Sequence, residues 1–196
     1  MKVIVIGGYP GSGKSTIMRG VIKELEQQGK RFKDNRKGII SYMETDGITI
    51  LGTYAPDEKF PGTDRLPLNA QPDACKFIRE IAATGKDVVI LEGDRLFNDK
   101  MLTFLNETGY NVVLCIVFTA KHLLESRRER RSEQNASWRK GRETKVDRLA
   151  MTYPVQHHLQ NNTQEEQESC VNELLQEING EWKSAPVKSK IKSFWS

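Results

Sequence analysis

The stretch Val3–Ile17, VIVIGGYPGSGKSTI, constrains the fold more than any other part of the chain. Val3–Ile6 is an unbroken apolar, β-branched run, the pattern of a strand buried on both faces. A glycine-rich loop follows, and then Ile17, Met18, Val21, Ile22 and Leu25 recur at helical spacing, which predicts a helix from about Lys14 to Gln27. Residues Gly8 to Ser15 match GxxxxGK[ST] in full, and Thr16 comes next. Each residue type has a physical reason. Glycines at 8, 11 and 13 let backbone N–H groups turn toward phosphate oxygens, and the helix that opens there adds its positive end. Lys14 is placed to reach the β- and γ-phosphates, and the Ser15 hydroxyl to ligate Mg²⁺. Gly8, Gly11, Ser12, Gly13, Lys14, Ser15 and Thr16 therefore read as a cradle for a nucleoside triphosphate, with ATP and Mg²⁺ as the expected pair.

The rest of the chain supplies the sheet around this unit. "DVVILEGD" and "NVVLCIVF" are further buried strands, and "PVQHHLQNN" holds a last short one. "IISYMETDGITILGTY" reads as two strands about Asp46-Gly47, a favoured two-residue hairpin turn. Helices are predicted at about 73–83, 99–108 and 120–131, with a final amphipathic one marked by Val171, Leu174, Leu175 and Ile178. The charged run "KRFKDNRKG" reads as a break, and "SEQNASWRKGRE" as a polar, mobile stretch. Strands alternating with helices predict an α/β parallel sheet with helices on both faces, one β-hairpin insertion and an Arg-rich lid. At 196 residues a single domain over 1–182 is expected, with the lid at about 127–145 and a basic tail at 183–196.

Composition narrows the class. No apolar stretch is long enough to span a membrane. Cys75, Cys115 and Cys170 are far apart and form no CxxC pair, so they read as free thiols of a reducing, cytoplasmic setting. Net charge is only +4, but residues 127–148 hold nine Lys/Arg against four Asp/Glu, and the tail from Lys183 has four Lys and no acid. Such segments are either solvated faces or contacts for nucleotide phosphates or a nucleic acid backbone. No protein partner is inferred.

Acidic residues stand where strands end. Glu92, with Asp94 two residues on, follows an apolar strand, where a carboxylate would hold Mg²⁺ or its water shell. Asp64 and Arg65, in "PGTDRL", sit in the long loop after the hairpin. A carboxylate there can orient or deprotonate an acceptor hydroxyl, and an arginine can hold an acceptor phosphate. In "SRRERRSEQNASWRKGRETK" at least one arginine is expected on the transferred phosphoryl group, with Arg127 and Arg131 the candidates. Trp138 could stack on a base or simply pack. Asn161, in "LQNNT", is the candidate contact to adenine. His122, His157 and His158 lack metal-ligand spacing with the cysteines and read as structural. GTPase spacing is missing, because "TKVD" at 144–147 follows a charged segment instead of an apolar strand.

Taken together, "GGYPGSGKST", "ILGTY…FPGTDRL", "VVILEGDRLF", "RRERRSEQ…WRKGRETK" and "NNT" resemble bacteriophage P-loop kinases that phosphorylate 5-hydroxymethyluracil within DNA. The resemblance spans roughly residues 1–178 and rests on the "GTDRL" and "EGDRLF" pair. It implies a kinase that uses ATP and Mg²⁺ on DNA carrying 5-hydroxymethyluracil. Lys14 and Ser15 would serve ATP and the metal, Asp64 the hydroxymethyl acceptor, Glu92 the metal, and the arginine-rich stretch the lid. A small-molecule nucleoside or nucleotide kinase, or a nucleotide-binding regulatory module, would use the same loop.

Overall fold

In the computed structural model, which describes residues 1–56, 58, 60–129 and 135–181, one seven-stranded sheet organises the chain. In chain order the elements are β1 (Lys2–Gly8), α1 (Lys14–Gln27), β2 (Lys33–Lys37), β3 (Ile40–Thr45), β4 (Ile48–Leu51), a 3₁₀ turn (Thr63–Arg65), α2 (Gln71–Ala83), β5 (Val88–Glu92), α3 (Asp99–Glu107), β6 (Asn111–Phe118), α4 (Lys121–Glu129), α5 (Ala136–Thr152), β7 (His157–Gln160) and α6 (Gln164–Asn179). The strand order is β2-β3-β4-β5-β1-β6-β7. Strands β4, β5, β1, β6 and β7 run parallel, while β3 and β2 are added antiparallel at one side.

The apolar runs explain why β1 lies at the centre. Alternate residues of a strand face opposite sides. Val3 and Val5 enter one core with helices α2, α3 and α5, while Ile4 and Ile6 enter the other with α1 and α6. Strands β5 and β6 divide in the same way: Val89, Leu91, Leu114 and Ile116 go to the first core, and Ile90, Val113, Cys115 and Val117 to the second. Each fully buried Val or Ile contributes roughly 1.5–3 kcal/mol. Because β1, β5, β6 and β7 are parallel, their following loops gather along one edge of the sheet. In open α/β sheets this is where ligands bind.

Two expectations need correction. The charged run taken as a break contains β2, an edge strand with Lys33, Asp34, Arg36 and Lys37 exposed. With neither face buried it has no apolar alternation to detect, and its charges keep the edge from pairing further. Of the stretch read as mobile, residues 132–134 lie outside the described residues, and residues 136–143 form most of the first half of α5. Asn135 caps this helix, its side chain accepting the Ser137 N–H at 2.9 Å. Only Val146 and Leu149 of α5 are buried, so no apolar stripe marks it in the sequence. The hairpin about Asp46-Gly47 forms as expected, with Gly47 at φ 75°. Arg130, Arg131 and the tail at 183–196 lie outside the described residues.

Candidate active site

The loop between β1 and α1 is held by its own backbone and by the far side of the sheet. Ser12 N–H donates to Tyr9 O at 3.0 Å, and the N–H groups of Thr16 and Ile17 both donate to Gly13 O at 3.0 Å. The N–H groups of Gly13, Lys14 and Ser15 donate to no backbone carbonyl among the described residues. They are the unpaired donors that open a helix and give it its positive end. Gly13 sits at φ 90°, and a Cβ there would lie 2.2 Å from Asn161 Nδ2, so both conformation and space require glycine. Lys14 Nζ folds across the loop and donates to Gly8 O at 3.0 Å and Tyr9 O at 3.1 Å. An ammonium already resting on the loop's carbonyls needs only to swing to meet a phosphate. The donor set fits a triphosphate tail.

Beside the loop stands Glu92, at the end of β5 and only 1% exposed. Ser15 Oγ donates to its Oε1 at 3.3 Å, and Tyr54 OH donates to its Oε2 at 2.8 Å. Burial pushes this carboxyl up to about 7, against the pull of nearby Lys14 and the hydrogen bond from Tyr54. Tyr54 is itself raised well above the ordinary phenol range, first by burial and then by Glu92. The loop carrying Asp64 closes over this pair. A Cβ on Gly62 would lie 2.6 Å from Glu92 Oε2 and 2.7 Å from Tyr54 OH, so the glycine of "PGTDRL" lets the loop approach. Asp64 then turns back onto the chain after β5: its Oδ1 accepts the N–H of Asp94 at 2.6 Å and of Arg95 at 3.0 Å. Two carboxylates distant in sequence thus stand at the end of β5: Glu92 contacts Ser15 of the loop, and Asp64 holds the main chain two and three residues beyond Glu92.

The sequence family described as P-loop Nucleotide Kinase3 matches residues 1–164. The chain belongs to this family. Among solved structures, an unliganded sugar kinase from Janibacter sp. HTCC2649 is similar, with a TM-score of 0.52 and 16% identity over 91% of this chain and 95% of that one. A shikimate kinase from Bacteroides thetaiotaomicron has a TM-score of 0.46 and 18% identity over 91% and 98%. At such identity the sugar kinase shows a common fold and nothing about the acceptor. No curated protein matches the chain in sequence.

Several residues of this P-loop nucleotide kinase stand elsewhere than their motifs suggest. Asp94 points its carboxylate to α5, where it pairs with Arg142 at 2.9 Å and with Lys145. Of the two acids after β5, only Glu92 reaches Ser15. Arg65 is exposed and pairs with Glu58. Thr16 is exposed on α1. Asn161 is buried, and its Nδ2 donates to Ser12 O at 2.7 Å. Arg127 lies next to it, Nη2 donating to Asn161 O at 3.2 Å and Nη1 to Ser12 O at 3.4 Å. Both residues meet the phosphate loop itself. Trp138 is 40% exposed, with the Arg142 guanidinium over its ring at 5.2 Å. His157 is buried and bonds Glu177 Oε2 at 3.0 Å, and His158 stacks on Phe118, so both are built into the scaffold.

Three residues that the motifs did not single out join the site. Tyr54 holds Glu92, Thr119 Oγ1 donates to Ser12 O at 3.0 Å, and Asp147 on α5 accepts Tyr9 OH at 2.5 Å. A cleft of about 840 Å³ opens beside Tyr9, between α4 and α5, with Lys121, Arg139 and Lys140 in its walls. No helix among the described residues is long and apolar enough to cross a membrane.

Proposed function

We propose that the chain is an ATP-dependent phosphotransferase acting on the hydroxymethyl group of 5-hydroxymethyluracil in DNA. The observation that carries the transferase reading is the meeting of Ser15 Oγ with buried Glu92 at 3.3 Å, with Asp64 bound to the backbone just beyond Glu92. Loop donors for the phosphates, a serine–carboxylate pair for the metal and a second carboxylate for the acceptor then share one edge of the sheet. Ser15 and Glu92 would hold Mg²⁺, which when bound neutralises charge on the phosphates. Lys14 leaves the carbonyls of Gly8 and Tyr9 to pair with the γ-phosphate. The acceptor oxygen attacks the γ-phosphorus and the bond to the β–γ bridging oxygen breaks, so ADP departs with that electron pair. The acceptor proton goes to Asp64 Oδ2, because Oδ1 is occupied by two amides.

The acceptor is inferred from the "GTDRL" and "EGDRLF" stretches and their resemblance to the phage DNA kinases. A base within a duplex must leave the stack or be presented on an exposed strand. The cations of 127–148 and the basic tail would track the backbone. The family's description as a nucleotide kinase favours a second reading, transfer to a free nucleoside or nucleotide. Incubation with labelled ATP and either 5-hydroxymethyluracil-containing DNA or the free compounds separates them. Label in the DNA, lost in Asp64→Asn, supports the proposal, and label only in the free compounds replaces it with the second reading.

A further inference from the structure

We infer that Asn161 and Thr119 are positioning residues that set the phosphate loop in its anion-binding form by anchoring one carbonyl, that of Ser12. The inference rests on the reading of the loop as a triphosphate site.

Three side chains from outside the loop converge on that oxygen: Asn161 Nδ2 at 2.7 Å, Thr119 Oγ1 at 3.0 Å and Arg127 Nη1 at 3.4 Å. They come from the ends of β6 and β7 and from α4, all on the far side of the loop from Glu92 on β5. The same three groups are tied to one another. Thr119 Oγ1 shares its one hydrogen between Ser12 O and the Asn161 main-chain carbonyl, 3.1 Å away, and Arg127 Nη2 donates to that same Asn161 carbonyl at 3.2 Å. The Asn161 N–H in turn donates to Phe118 O at 2.8 Å. Three donors on one carbonyl exceed what its two lone pairs need, so the group is over-determined in direction.

The direction matters because the peptide between Ser12 and Gly13 is planar and trans. In a trans peptide the N–H points opposite to the C=O. Pulling the Ser12 carbonyl toward β6 and β7 therefore turns the Gly13 N–H the other way, toward the loop interior. That N–H is among those with no backbone partner. A carbonyl left free to rotate would instead present its negative end to a phosphate. The orientation of the Asn161 amide follows from its partner: the Ser12 carbonyl is an acceptor only, so the nitrogen must face it. Asn161 Oδ1 is then buried with no hydrogen bond among the described residues, a cost accepted with the nitrogen's contact. Asn161 consequently acts on the phosphate end of the nucleotide and does not read its base.

The test measures affinity of the full chain for ATP, GTP and inorganic tripolyphosphate by titration calorimetry, with far-UV circular dichroism to check folding. Asn161→Asp places an acceptor against an acceptor, and Thr119→Val deletes a donor without changing the side chain's shape. Both are expected to weaken all three ligands alike, by about 10- to 100-fold, as for loss of a buried hydrogen bond. Thr119→Ser keeps the hydroxyl and is expected to recover most of the affinity. Loss of ATP against GTP discrimination with tripolyphosphate binding intact would show a base contact and overturn the inference. Unchanged affinity in a folded Thr119→Val protein would overturn it too, while leaving the loop reading in place. A wild-type chain that binds neither ATP nor tripolyphosphate would instead remove the loop reading on which the inference stands.

Discussion

Replacing Glu92 with glutamine is expected to make the ligand-free protein more stable at pH 8 and at the same time inactive. Glu92 is 1% exposed, and burial raises its carboxyl from 4.5 to about 7. A carboxyl raised in the folded state binds its proton more tightly there than in the unfolded chain. Below pH 4.5 it is protonated in both states and contributes no penalty. As pH rises toward 7 the unfolded chain ionises first, and folding is progressively opposed. Above about 7 both forms are ionised and the penalty is constant. At about 1.4 kcal/mol per unit, the full penalty is about 3 kcal/mol. Glutamine removes the charge and keeps the contacts: its oxygen accepts from Tyr54 OH, and its amide donates to Ser15 Oγ. The assay is urea or thermal unfolding of both proteins, without metal, at pH values from 4.5 to 9. The expected result is no difference at the acid end, a gap opening toward pH 7, and a plateau corresponding to roughly 6–12 °C in Tm. Adding ATP and Mg²⁺ should raise the wild-type Tm more than that of the variant, which keeps the loop donors and loses only the carboxylate that would serve the metal. A gap independent of pH, or a variant less stable than wild type at pH 8, would refute the account of Glu92 as a buried carboxylate waiting for a cation.

Lys14→Met removes an ammonium whose bonds in this structure are to Gly8 O and Tyr9 O, so it should melt near wild type yet lose transfer by about 100-fold or more in a labelled-ATP assay. Gly13→Ala puts a Cβ 2.2 Å from Asn161 Nδ2 at φ 90°; it should cost about 1–3 kcal/mol from the backbone alone, read by urea unfolding, and abolish triphosphate binding. Tyr54→Phe deletes a hydrogen bond that holds the Glu92 carboxyl down, so the acidic limb of kcat/KM against pH should move to higher pH. Burial alone would lower His157, but hydrogen bonds and charge from Glu173 and Glu177 outweigh it and raise the imidazole above its usual 6.5. Its stabilisation is therefore full below that value and lost as pH rises through the raised one, and His157→Gln should flatten the stability profile over that alkaline side.

What could be read in advance follows from how local each signal is. Strands β1, β5 and β6 are buried on both faces, so their identity is written as unbroken apolar runs. The phosphate loop is equally local: its glycines, lysine and serine lie within eight residues of chain, Gly8 to Ser15. Glu92 was legible because the end of a buried strand beside β1 is a position that can be counted. Strand β2 was not, because an edge strand with both faces in water carries charges in place of a period. Helix α5 was not, because its docking depends on Asp94, Asp99 and Tyr9, whose partners Arg142, Lys145, Arg148 and Asp147 look like ordinary surface charge until the fold brings them together.

Asn161 shows the limit most clearly. Its place after the last strand suggested a contact to a base, yet its amide reaches a carbonyl 149 positions away in the chain. By itself the sequence determined the buried strands and the make-up of the loop, because both are written in residues near one another along the chain. Only the tertiary structure decided which side chains orient that loop, which of two acids meets Ser15, and that Tyr54 holds Glu92. Those contacts form where separate strands end along one edge of the sheet, and their geometry is set by packing that no local pattern records.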